Sequence, residues 1–225
     1  MSAIHNQPIM LMQETAGDLP LALRQLPAIR HSYHRGAVIY RVEQAADAIY
    51  LILSGRVRLT RVAGDGRESV LHVLKGGEVF GELAALDGQL RQEQASALDD
   101  MVVAAWPAAE VHRRAQQTPQ LAAWFSNLLA RRLQEAHDRI ETLSFDPIPK
   151  RLARVILRHA HRFGTVLQDG RIRALPLTHE ALAQEVATSR EIITHHMNHF
   201  RARGLLNYSR KAIEVAPDRL SSVLI

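Results

Sequence analysis

Cysteine is absent from this 225-residue chain. Disulfide bonds, thiolate catalysis and cysteine-ligated iron–sulfur clusters are therefore excluded. No segment has the roughly 20 uninterrupted apolar residues that a membrane-spanning helix needs. The first residues also lack the basic start and apolar run of a signal peptide. We therefore expect a cytoplasmic protein with no membrane partner.

Motifs of common enzymes are also missing. The sequence has no G-x-S-x-G nucleophile elbow and no H-E-x-x-H zinc motif. His195, His196 and His199 follow the pattern H-H-x-x-H, and their i,i+4 spacing can hold a metal. No carboxylate or cysteine lies at a supporting spacing, so contact with phosphate or bases, or plain solvation, is favoured. The sequence predicts a protein that is not an enzyme and has no metal site.

Positive charge is concentrated towards the C-terminal end. The whole chain carries 28 Lys and Arg against 23 Asp and Glu, a net charge of +5. From Pro147 onward there are 13 basic and 6 acidic residues, or +7, and before it 15 and 17, or −2. A phosphate backbone requires such a local basic excess. The distribution is therefore compatible with a nucleic-acid partner for the C-terminal region.

The region from about Arg30 to Trp106 has the pattern of short strands. Residues 48–53 form an apolar run, 57–62 alternate with period two, and 70–74 form a further strand. Glycine-containing turns are predicted at 54–55, 64–66 and 76–77. Strands at this spacing are typical of an antiparallel barrel or sandwich, and nothing indicates a parallel βαβ series.

From Ala108 to about Ser144 the apolar period becomes helical. A heptad seam with the spacing 4, 3, 4, 3 consists of Leu129, Leu133, Ala136, Ile140 and Leu143. Such a stripe packs either on the protein's own sheet or against a second copy of the helix. The narrow stripe and its charged flanks favour a homodimer interface. Residues 146–149, Asp-Pro-Ile-Pro, then end the helix and mark a hinge.

After the hinge, the segment from Thr178 to Leu206 predicts two short helices joined by a tight turn. Each helix has one apolar face for a core, formed by Leu182, Val186, Ile193, Met197 and Phe200. Thr178 suits the N-cap of the first helix. Thr188 and Glu191 form a T-x-x-E capping box for the second, and Gly204 suits its C-terminal end. Residues 171–177 predict a strand before the pair, and residues 205–215 predict a hairpin or wing behind it.

Side chains that can bond base edges gather at the start of the second helix. Arginine bonds guanine bidentately, glutamate accepts from cytosine N4, and hydroxyl or imidazole groups reach bases or phosphates. We therefore predict a double-stranded DNA partner. The predicted DNA-binding residues are Thr178, Thr188, Ser189, Arg190, Glu191, Thr194, His195, Arg201, Arg203 and Lys211.

These motifs carry a resemblance that spans nearly the whole chain. Residues 77–88, GEVFGELAALDG, followed by Arg91, are similar to the phosphate-binding cassette of the cyclic-AMP receptor protein/fumarate-nitrate regulator (CRP/FNR) family. The run from Thr188 to Glu191, with Thr194, resembles the recognition helix of that family. The order of parts, strand spacing, long helix and hinge also fit. The resemblance is specific in the cassette and the helix pair, and diffuse before about Leu26.

The resemblance implies an α+β fold in three parts. Residues 1–106 would form an N-terminal antiparallel β-roll effector domain of the cyclic-nucleotide-binding type. Residues 107–146 would contain the long dimerisation helix, and residues 147–225 a C-terminal winged helix-turn-helix domain. Family members are usually homodimers that bind pseudo-palindromic promoter sites and regulate transcription by RNA polymerase. We expect this role here, under the control of an unidentified effector or of protein abundance.

The resemblance also places an effector site, at Gly81, Glu82, Leu83, Arg91, Gln92, Ala136 and His137. A cyclic phosphate needs backbone N–H donors beside a glycine and one matching cation, and a glutamate can accept from ribose. Gln92 replaces the small hydroxyl residue that normally follows the arginine, and Glu93 adds a negative charge. Ala136 and His137 replace the adenine-contacting Thr and Ser of the cyclic-AMP receptor. We expect a scaffold, or a site for another ligand, in which Glu82 and Arg91 pair with each other or with backbone.

The sequence leaves the cofactor open. A cyclic nucleotide remains one alternative, and haem is another because some members of the family sense gases through it. The candidate haem ligands are His31, His34, His72, His137, His159 and His161, and no pattern singles one of them out.

Overall fold

The computed structural model describes residues 7–11, 19–64, 68–209 and 211–225. Asp65 and Gly66, which belong to a predicted turn, lie outside these ranges. The chain divides into two compact units, Met1–Gln134 and Glu135–Ile225. Every strand pair among the described residues is antiparallel, as the sequence predicts. The predicted division at residues 106 and 146 follows sequence patterns and stays a prediction.

Two antiparallel sheets form the first unit. One has the strand order β1-β2-β9-β4-β7 and the other the order β3-β8-β5-β6. The strands are β1 (Gln7–Ile9), β2 (Ala28–Tyr33), β3 (Val38–Tyr40), β4 (Ala48–Ser54), β5 (Arg56–Val62), β6 (Glu68–Lys75), β7 (Val79–Phe80), β8 (Gln94–Ala97) and β9 (Met101–Pro107). The predicted strands at 48–53, 57–62 and 70–74 are therefore confirmed.

The turn between β4 and β5 requires glycine. Gly55 has φ +83°, a left-handed conformation, and a Cβ placed there would lie 2.5 Å from the Cβ of Met101. The tight turn lets Ile52 and Val57 on the two strands bury their side chains in one core, with Phe80. A second core contains Trp106, Leu121 and their neighbours. These two cores hold the segment around Gly81 in place.

The helices of this unit refine one prediction. They are α1 (Leu21–Arg24), α2 (Glu82–Asp87), α3 (Ala108–Gln117) and α4 (Pro119–Phe145), and α4 continues into the second unit. The helical region predicted from Ala108 to about Ser144 consists of two helices, because Thr118 is extended, with φ −132° and ψ 95°. Pro119 follows it, and proline disfavours the helical conformation in the residue before it. The predicted stop is confirmed, since α4 ends at Phe145.

The heptad residues lie along α4 with their apolar surface largely uncovered. Leu133 is 57% exposed, Ile140 62% and Leu143 39%. Leu129 is partly buried and Ala136 is exposed. Packing of the helix on the protein's own sheets therefore does not account for the C-terminal part of this stripe, from Leu133 to Leu143. No helix among the described residues is long and apolar enough to cross a membrane.

The second unit contains the predicted helix pair beside a four-stranded sheet. The sheet has the order β10-β11-β13-β12. The elements after α4 are α5 (Ile148–Phe163), β10 (Thr165–Val166), β11 (Ile172–Ala174), α6 (His179–Val186), α7 (Arg190–Ala202), β12 (Leu206–Tyr208), β13 (Ile213–Val215) and α8 (Pro217–Ser221). A 3₁₀ turn, Ser222–Leu224, follows. The predicted winged helix-turn-helix is confirmed.

One apolar core holds this unit together. The inward residues predicted on the helix pair are all buried in it: Leu182, Val186, Ile193, Met197 and Phe200. Leu152 and Ile156 of α5 join them, and Ile213 and Val215 supply the sheet side. Because the apolar face of α7 is fully used in this core, its polar face is left at the surface.

The helix ends follow local hydrogen bonding. Thr178 caps α6 as predicted, since its hydroxyl accepts from Ala181 N at 3.0 Å. The capping box at Thr188 is wrong: Ser189 is the N-cap of α7, and its hydroxyl accepts from Ile192 N at 3.4 Å. Two consecutive residues here, Thr188 and Ser189, carry a hydroxyl group. The backbone conformation of the turn places the second of them at the N-cap position. Gly204 ends α7 with φ +67°, as predicted.

The turn between α6 and α7 contains a strained residue. Ala187 has φ +56° and ψ +59°, the left-handed conformation that L-residues with a Cβ disfavour. Gly204 adopts the same region at the end of α7. A Cβ added at Gly204 would lie 3.6 Å from an Arg219 guanidinium nitrogen, an ordinary contact distance, so there is room for it. The two positions therefore differ mainly in whether the strained residue carries a Cβ.

We expect Ala187→Gly to stabilise the protein and Gly204→Ala to destabilise it, each by about 1 kcal/mol. The physical reason is the steric cost of a Cβ in left-handed backbone. Urea denaturation followed by circular dichroism measures both changes, and each variant serves as the control for the other. Shifts of both midpoints in the same direction would contradict the assignment.

Candidate functional site

The first turn of α7 presents charged side chains to solvent. Ser189, Arg190 and Glu191 are all exposed. A hydrogen bond from Ser189, helped by the helix backbone, holds the pKa of Glu191 below its ordinary value. Glu191 is therefore a carboxylate at neutral pH and acts only as an acceptor. The turn therefore presents a cation, Arg190, beside an anion, Glu191.

Thr194 is engaged within the helix pair. Its hydroxyl donates to the Arg190 carbonyl at 2.9 Å and lies 2.8 Å from His179 Nδ1. A hydroxyl has a single hydrogen, so the imidazole is the donor in the second contact. His179 begins α6, and this bond ties the start of α6 to the exposed turn of α7. His179 was not among the site residues predicted from the sequence, although its position directly after the N-cap Thr178 was a usable signal.

The three histidines of the H-H-x-x-H pattern lie on α7 as well. His195 and His199 are exposed and His196 is partly buried. The rings of His195 and His196 meet edge to face, with their centroids 5.2 Å apart. Burial lowers the pKa of His196, and the neighbouring histidines lower it further. Among the described residues no group of three or more metal-binding side chains could hold an ion.

The remaining predicted cations lie towards the wing. Arg201 donates to Asn198 Oδ1 at 3.2 Å, and its guanidinium carbon lies 5.1 Å from the centre of the Tyr208 ring. The hydroxyl of Tyr208 donates to the same Asn198 oxygen at 3.0 Å. Arg203 and Lys211 are exposed. The structure thus holds Arg201 in place and leaves Arg203 and Lys211 in solvent, while Thr188 lies partly buried in the turn.

In the first unit, the cassette arginine points into the protein. Arg91 is only 1% exposed, and it donates to the carbonyls of Gly81 at 2.6 Å and Ala48 at 2.5 Å. Its guanidinium carbon lies 4.3 Å from the centre of the Tyr40 ring, a cation–π distance. Gly81 has φ +76°, a left-handed conformation that favours glycine, and a Cβ there would lie 2.8 Å from Arg91 Nη1. The expected pairing of Arg91 with backbone is present.

Glu82 is paired with the long helix rather than with Arg91. Glu82 is 3% exposed, and Arg132 of α4 donates to it at 3.4 Å and to the Val79 carbonyl at 3.1 Å. Burial raises the pKa of Glu82, and the charge of Arg132 opposes that rise. Sequence reasoning did not single out Arg132, because nothing local marks it among the arginines of α4.

Two further hydrogen-bond acceptors, Gln92 and Glu93, directly follow Arg91. Glu93, 8% exposed, accepts from the Tyr40 hydroxyl at 3.1 Å. Gln92 is exposed and accepts from Arg61 at 3.1 Å. Leu83 is 46% exposed on α2. Ala136 and His137 are exposed on the part of α4 that belongs to the second unit.

Of the predicted effector residues, Leu83, Arg91 and Gln92 line a cleft of about 480 Å³ within the first unit. Its walls include Leu83, Leu86 and Leu129, together with Asp87, Arg91 and Glu93. A cyclic nucleotide would need a cation free to meet its phosphate, and the Arg91 guanidinium already serves two carbonyls. The buried carboxylate of Glu93 would lie close to the phosphate. Nη1 and Nη2 of Arg91 are engaged, whereas its Nε is buried without a hydrogen-bond partner, so one donor of the guanidinium is left for a ligand.

The histidines considered as haem ligands are spread over several elements, including β2, β6, α4 and α5. His159 is buried, and its Nε2 bonds the Leu175 carbonyl at 3.0 Å. A carbonyl only accepts, so this nitrogen carries the hydrogen. His34 and His161 are exposed.

The fold and the exposed turn of α7 together define a DNA-binding regulator with an effector-type β domain. Residues 30–118 match the family model of the cyclic nucleotide-binding domain, and residues 150–222 match that of the Crp-like helix-turn-helix domain. The chain belongs to the CRP/FNR family of transcription regulators. The homologues are transcription regulators and not enzymes.

Individual relatives cover most of the chain. A cyclic AMP receptor protein of Thermus thermophilus is 31% identical over 198 residues, which cover 88% of this chain and 87% of the relative. A CRP-like cAMP-activated global transcriptional regulator of Mycobacterium tuberculosis is 29% identical and covers 82% of each chain. The crystal structure of a CRP/FNR-family regulator from Thermus thermophilus superposes with a TM-score of 0.73 at 27% identity, covering 87% of this chain and 97% of that one.

The buried Glu82–Arg132 pair gives a test of the cassette. We expect Arg132→Met to destabilise the protein by about 3–5 kcal/mol near neutral pH, because it leaves a buried carboxylate without its cation. Loss of the cation raises the pKa of Glu82 further above its unfolded value. The folded variant then binds a proton that the unfolded chain releases, so the variant loses stability as pH rises.

Urea denaturation at about pH 5 and about pH 7.5 measures this effect. The loss of unfolding free energy in Arg132→Met, relative to the native protein, should be smaller at the lower pH. Arg131→Met, at an exposed neighbouring position, is the matched control and should cost little at either pH. An equal deficit of Arg132→Met at both pH values would show that Glu82 does not depend on this cation.

Proposed function

We propose that the protein is a dimeric, cytoplasmic transcription regulator that binds an inverted-repeat promoter site through α7. The observation that carries this proposal is the exposed first turn of α7. That turn is capped by Ser189, is backed by a buried apolar face and presents Arg190 and Glu191 to solvent. Helix-turn-helix proteins insert such a turn into the major groove. The basic excess after Pro147 supplies the phosphate attraction.

The two charged residues have distinct roles in this proposal. Arg190 bonds O6 and N7 of a guanine, and Glu191 accepts from N4 of a cytosine. The lowered pKa of Glu191 favours its acceptor role, since the side chain is ionised. His195 stands where the cyclic-AMP receptor has a further base-reading arginine, so the half-site differs there. Thr194, held by His179, acts by fixing the turn.

The other polar groups position the protein on the backbone. Arg201, Arg203 and Lys211 bind phosphates without sequence preference. Thr178, Thr188 and Ser189 lie at the N-terminal ends of the two helices, where backbone N–H groups and hydroxyls meet phosphate oxygens. Regulation of RNA polymerase follows from binding at a promoter, and it belongs to this proposal.

Selection from random double-stranded DNA tests the reading helix. Wild-type protein should enrich a palindrome with half-sites about 10 base pairs apart. Arg190→Ala should lose about 1–3 kcal/mol of binding and relax one position in each half-site. Glu191→Ala should relax a different position. The measurement is the base frequency at each position, followed by anisotropy titration of the selected site.

Arg203→Ala is the matched control for Arg190→Ala, because both remove one exposed arginine. It should weaken binding to all sequences alike and reduce the slope of affinity against salt. If wild type and Arg190→Ala enrich the same palindrome with equal stringency, or if neither enriches any, α7 is not the reading helix.

We propose that the seam on α4 forms the dimer interface. Leu133, Ile140 and Leu143 present apolar side chains to solvent along one stripe of a 27-residue helix. A narrow seam of this period is stabilised by a second copy of the same helix, which buries both stripes at once. A two-fold axis there matches the two-fold symmetry of an inverted repeat.

Leu133→Glu combined with Ile140→Glu should convert the dimer to a monomer, because it places two carboxylates in the seam. Sedimentation velocity measures the mass. Asn127→Glu with Gln134→Glu adds the same groups to exposed positions off the seam and should leave the dimer intact. A dimer mass unchanged by the seam substitutions would rule out this interface.

We propose that control comes from an effector other than cyclic AMP, or from protein abundance. The engaged guanidinium of Arg91 and the buried Glu93 support this view. A cyclic-nucleotide- or haem-sensing regulator is the alternative.

A further inference from the structure

The first turn of α7 carries one apolar side chain that the core of its unit does not use. Ile192 is 38% exposed, whereas the other large apolar residues of α7 are all buried: Ile193, Met197 and Phe200. Those three belong to the apolar core described above. Core packing therefore explains Ile193 but leaves the exposed side chain of its neighbour without a role. An apolar side chain in solvent gains free energy when a partner covers it.

Ile192 shares a side of α7 with residues that are exposed. It precedes His195 by three residues and His199 by seven, and side chains at these spacings lie along one side of a helix. Both histidines are exposed, and so are Arg190 and Glu191 directly before Ile192. Helix-turn-helix proteins insert this first turn of the second helix into the major groove. Ile192 therefore lies beside the residues that we propose to read bases.

The conformation of Ile192 is fixed before any DNA is bound. Its backbone N–H donates to the hydroxyl of the N-cap Ser189 at 3.4 Å, so the residue belongs to the capped turn. A β-branched side chain on a helix has one strongly preferred χ1 rotamer. Contact with a base would therefore cost this side chain little conformational entropy.

The aliphatic nature of Ile192 restricts what it can recognise. The side chain has no donor and no acceptor, so it cannot bond a phosphate or the polar edge of a base. In the major groove the apolar group of the bases is the C5 methyl of thymine, and apolar side chains make contact with it. Cytosine carries a hydrogen at the same place. An exposed isoleucine on a reading turn thus fits one chemical group, a methyl on a pyrimidine.

We propose that Ile192 reads the C5 methyl group of one thymine in each half-site, next to the base pairs bonded by Arg190 and Glu191. This inference deepens the proposed function and rests on α7 as the reading helix. It makes Ile192 a specificity-determining residue that acts by apolar contact. Its contribution is independent of salt, because no counterion is released from the DNA when a methyl group is covered.

Replacement of thymine by uracil measures this contact. Deoxyuridine pairs with adenine as thymidine does and lacks only the C5 methyl. Each thymine of the palindrome selected by the wild-type protein is replaced in turn, at the same place in both half-sites, and affinity is measured by anisotropy. Replacement at one position should weaken wild-type binding about 10-fold, since covering a methyl group is worth about 3–4-fold in each half-site. A salt titration should leave this ratio unchanged.

Substitutions then assign the effect to Ile192. Ile192→Ala should bind the thymine and uracil sites equally, because the variant has lost the partner of the methyl group. Val166→Ala is the matched control: it shortens an aliphatic side chain that is 68% exposed on β10, and it should keep the full preference for thymine. If circular dichroism shows Ile192→Ala to be unfolded, Ile192→Val decides in its place and should show a reduced preference.

Cytosine methylation gives an independent check of the same contact. A C·G pair in place of the sensitive T·A pair should weaken wild-type binding, because the base-pair pattern changes and the methyl is lost. Substitution of 5-methylcytosine for that cytosine restores the methyl alone and should recover about 10-fold in affinity when both half-sites carry it. Ile192→Ala should show no such recovery.

The proposal is overturned if wild-type protein tolerates uracil at every thymine, if its selected site contains no thymine, or if Ile192→Ala keeps the full preference. In these cases a palindrome that Arg190→Ala relaxes would still identify α7 as the reading helix. If wild-type protein enriches no palindrome at all, the proposed function fails and this inference fails with it. The two failures are therefore distinguishable.

Discussion

A buried guanidinium governs the first unit. Arg91 carries a charge that is costly to bury, and the two carbonyls and the Tyr40 ring replace part of the water it lost, while its Nε is left without a partner. The carbonyls belong to Gly81, before α2, and to Ala48, in β4, so one side chain joins the start of the cassette helix to a central strand. The lack of a side chain on Gly81 makes room for it. The position of the cassette beside β4 depends on this one arrangement.

The helix-turn-helix unit rests on a separate arrangement. The apolar face of α7 is buried, and the His179–Thr194 hydrogen bond links the start of α6 to the first exposed turn of α7. Arg190 therefore projects from a turn in which its own backbone carbonyl accepts a hydrogen bond from Thr194. The backbone of such a turn therefore loses little further conformational freedom when its side chains meet a base.

Much of this could be read from the sequence, and the exceptions have physical causes. The period of the buried residues in α6 and α7 is local, so both helices and their inward faces were predictable. Thr188 was mistaken for the N-cap, because Thr188 and Ser189 carry equivalent hydroxyls and only the backbone turn distinguishes them. The break at Thr118 was readable from Pro119 but was outweighed by the helical period. The partners of Arg91 and Glu82 lie 10 to 50 residues away, so no local pattern could supply them.

In the first turn of α7, helix capping and the proposed DNA reading are carried by different residues. This separation bears on how such regulators diverge. Ser189 maintains the helix, while Arg190 and Glu191 contribute nothing to the apolar core and face solvent. Substitutions at these two positions change what the helix can read with little cost in folding, since exposed positions outside caps and cores tolerate change. A duplicated copy of this gene could therefore acquire a new set of promoters through one or two substitutions, without first accumulating compensating mutations elsewhere.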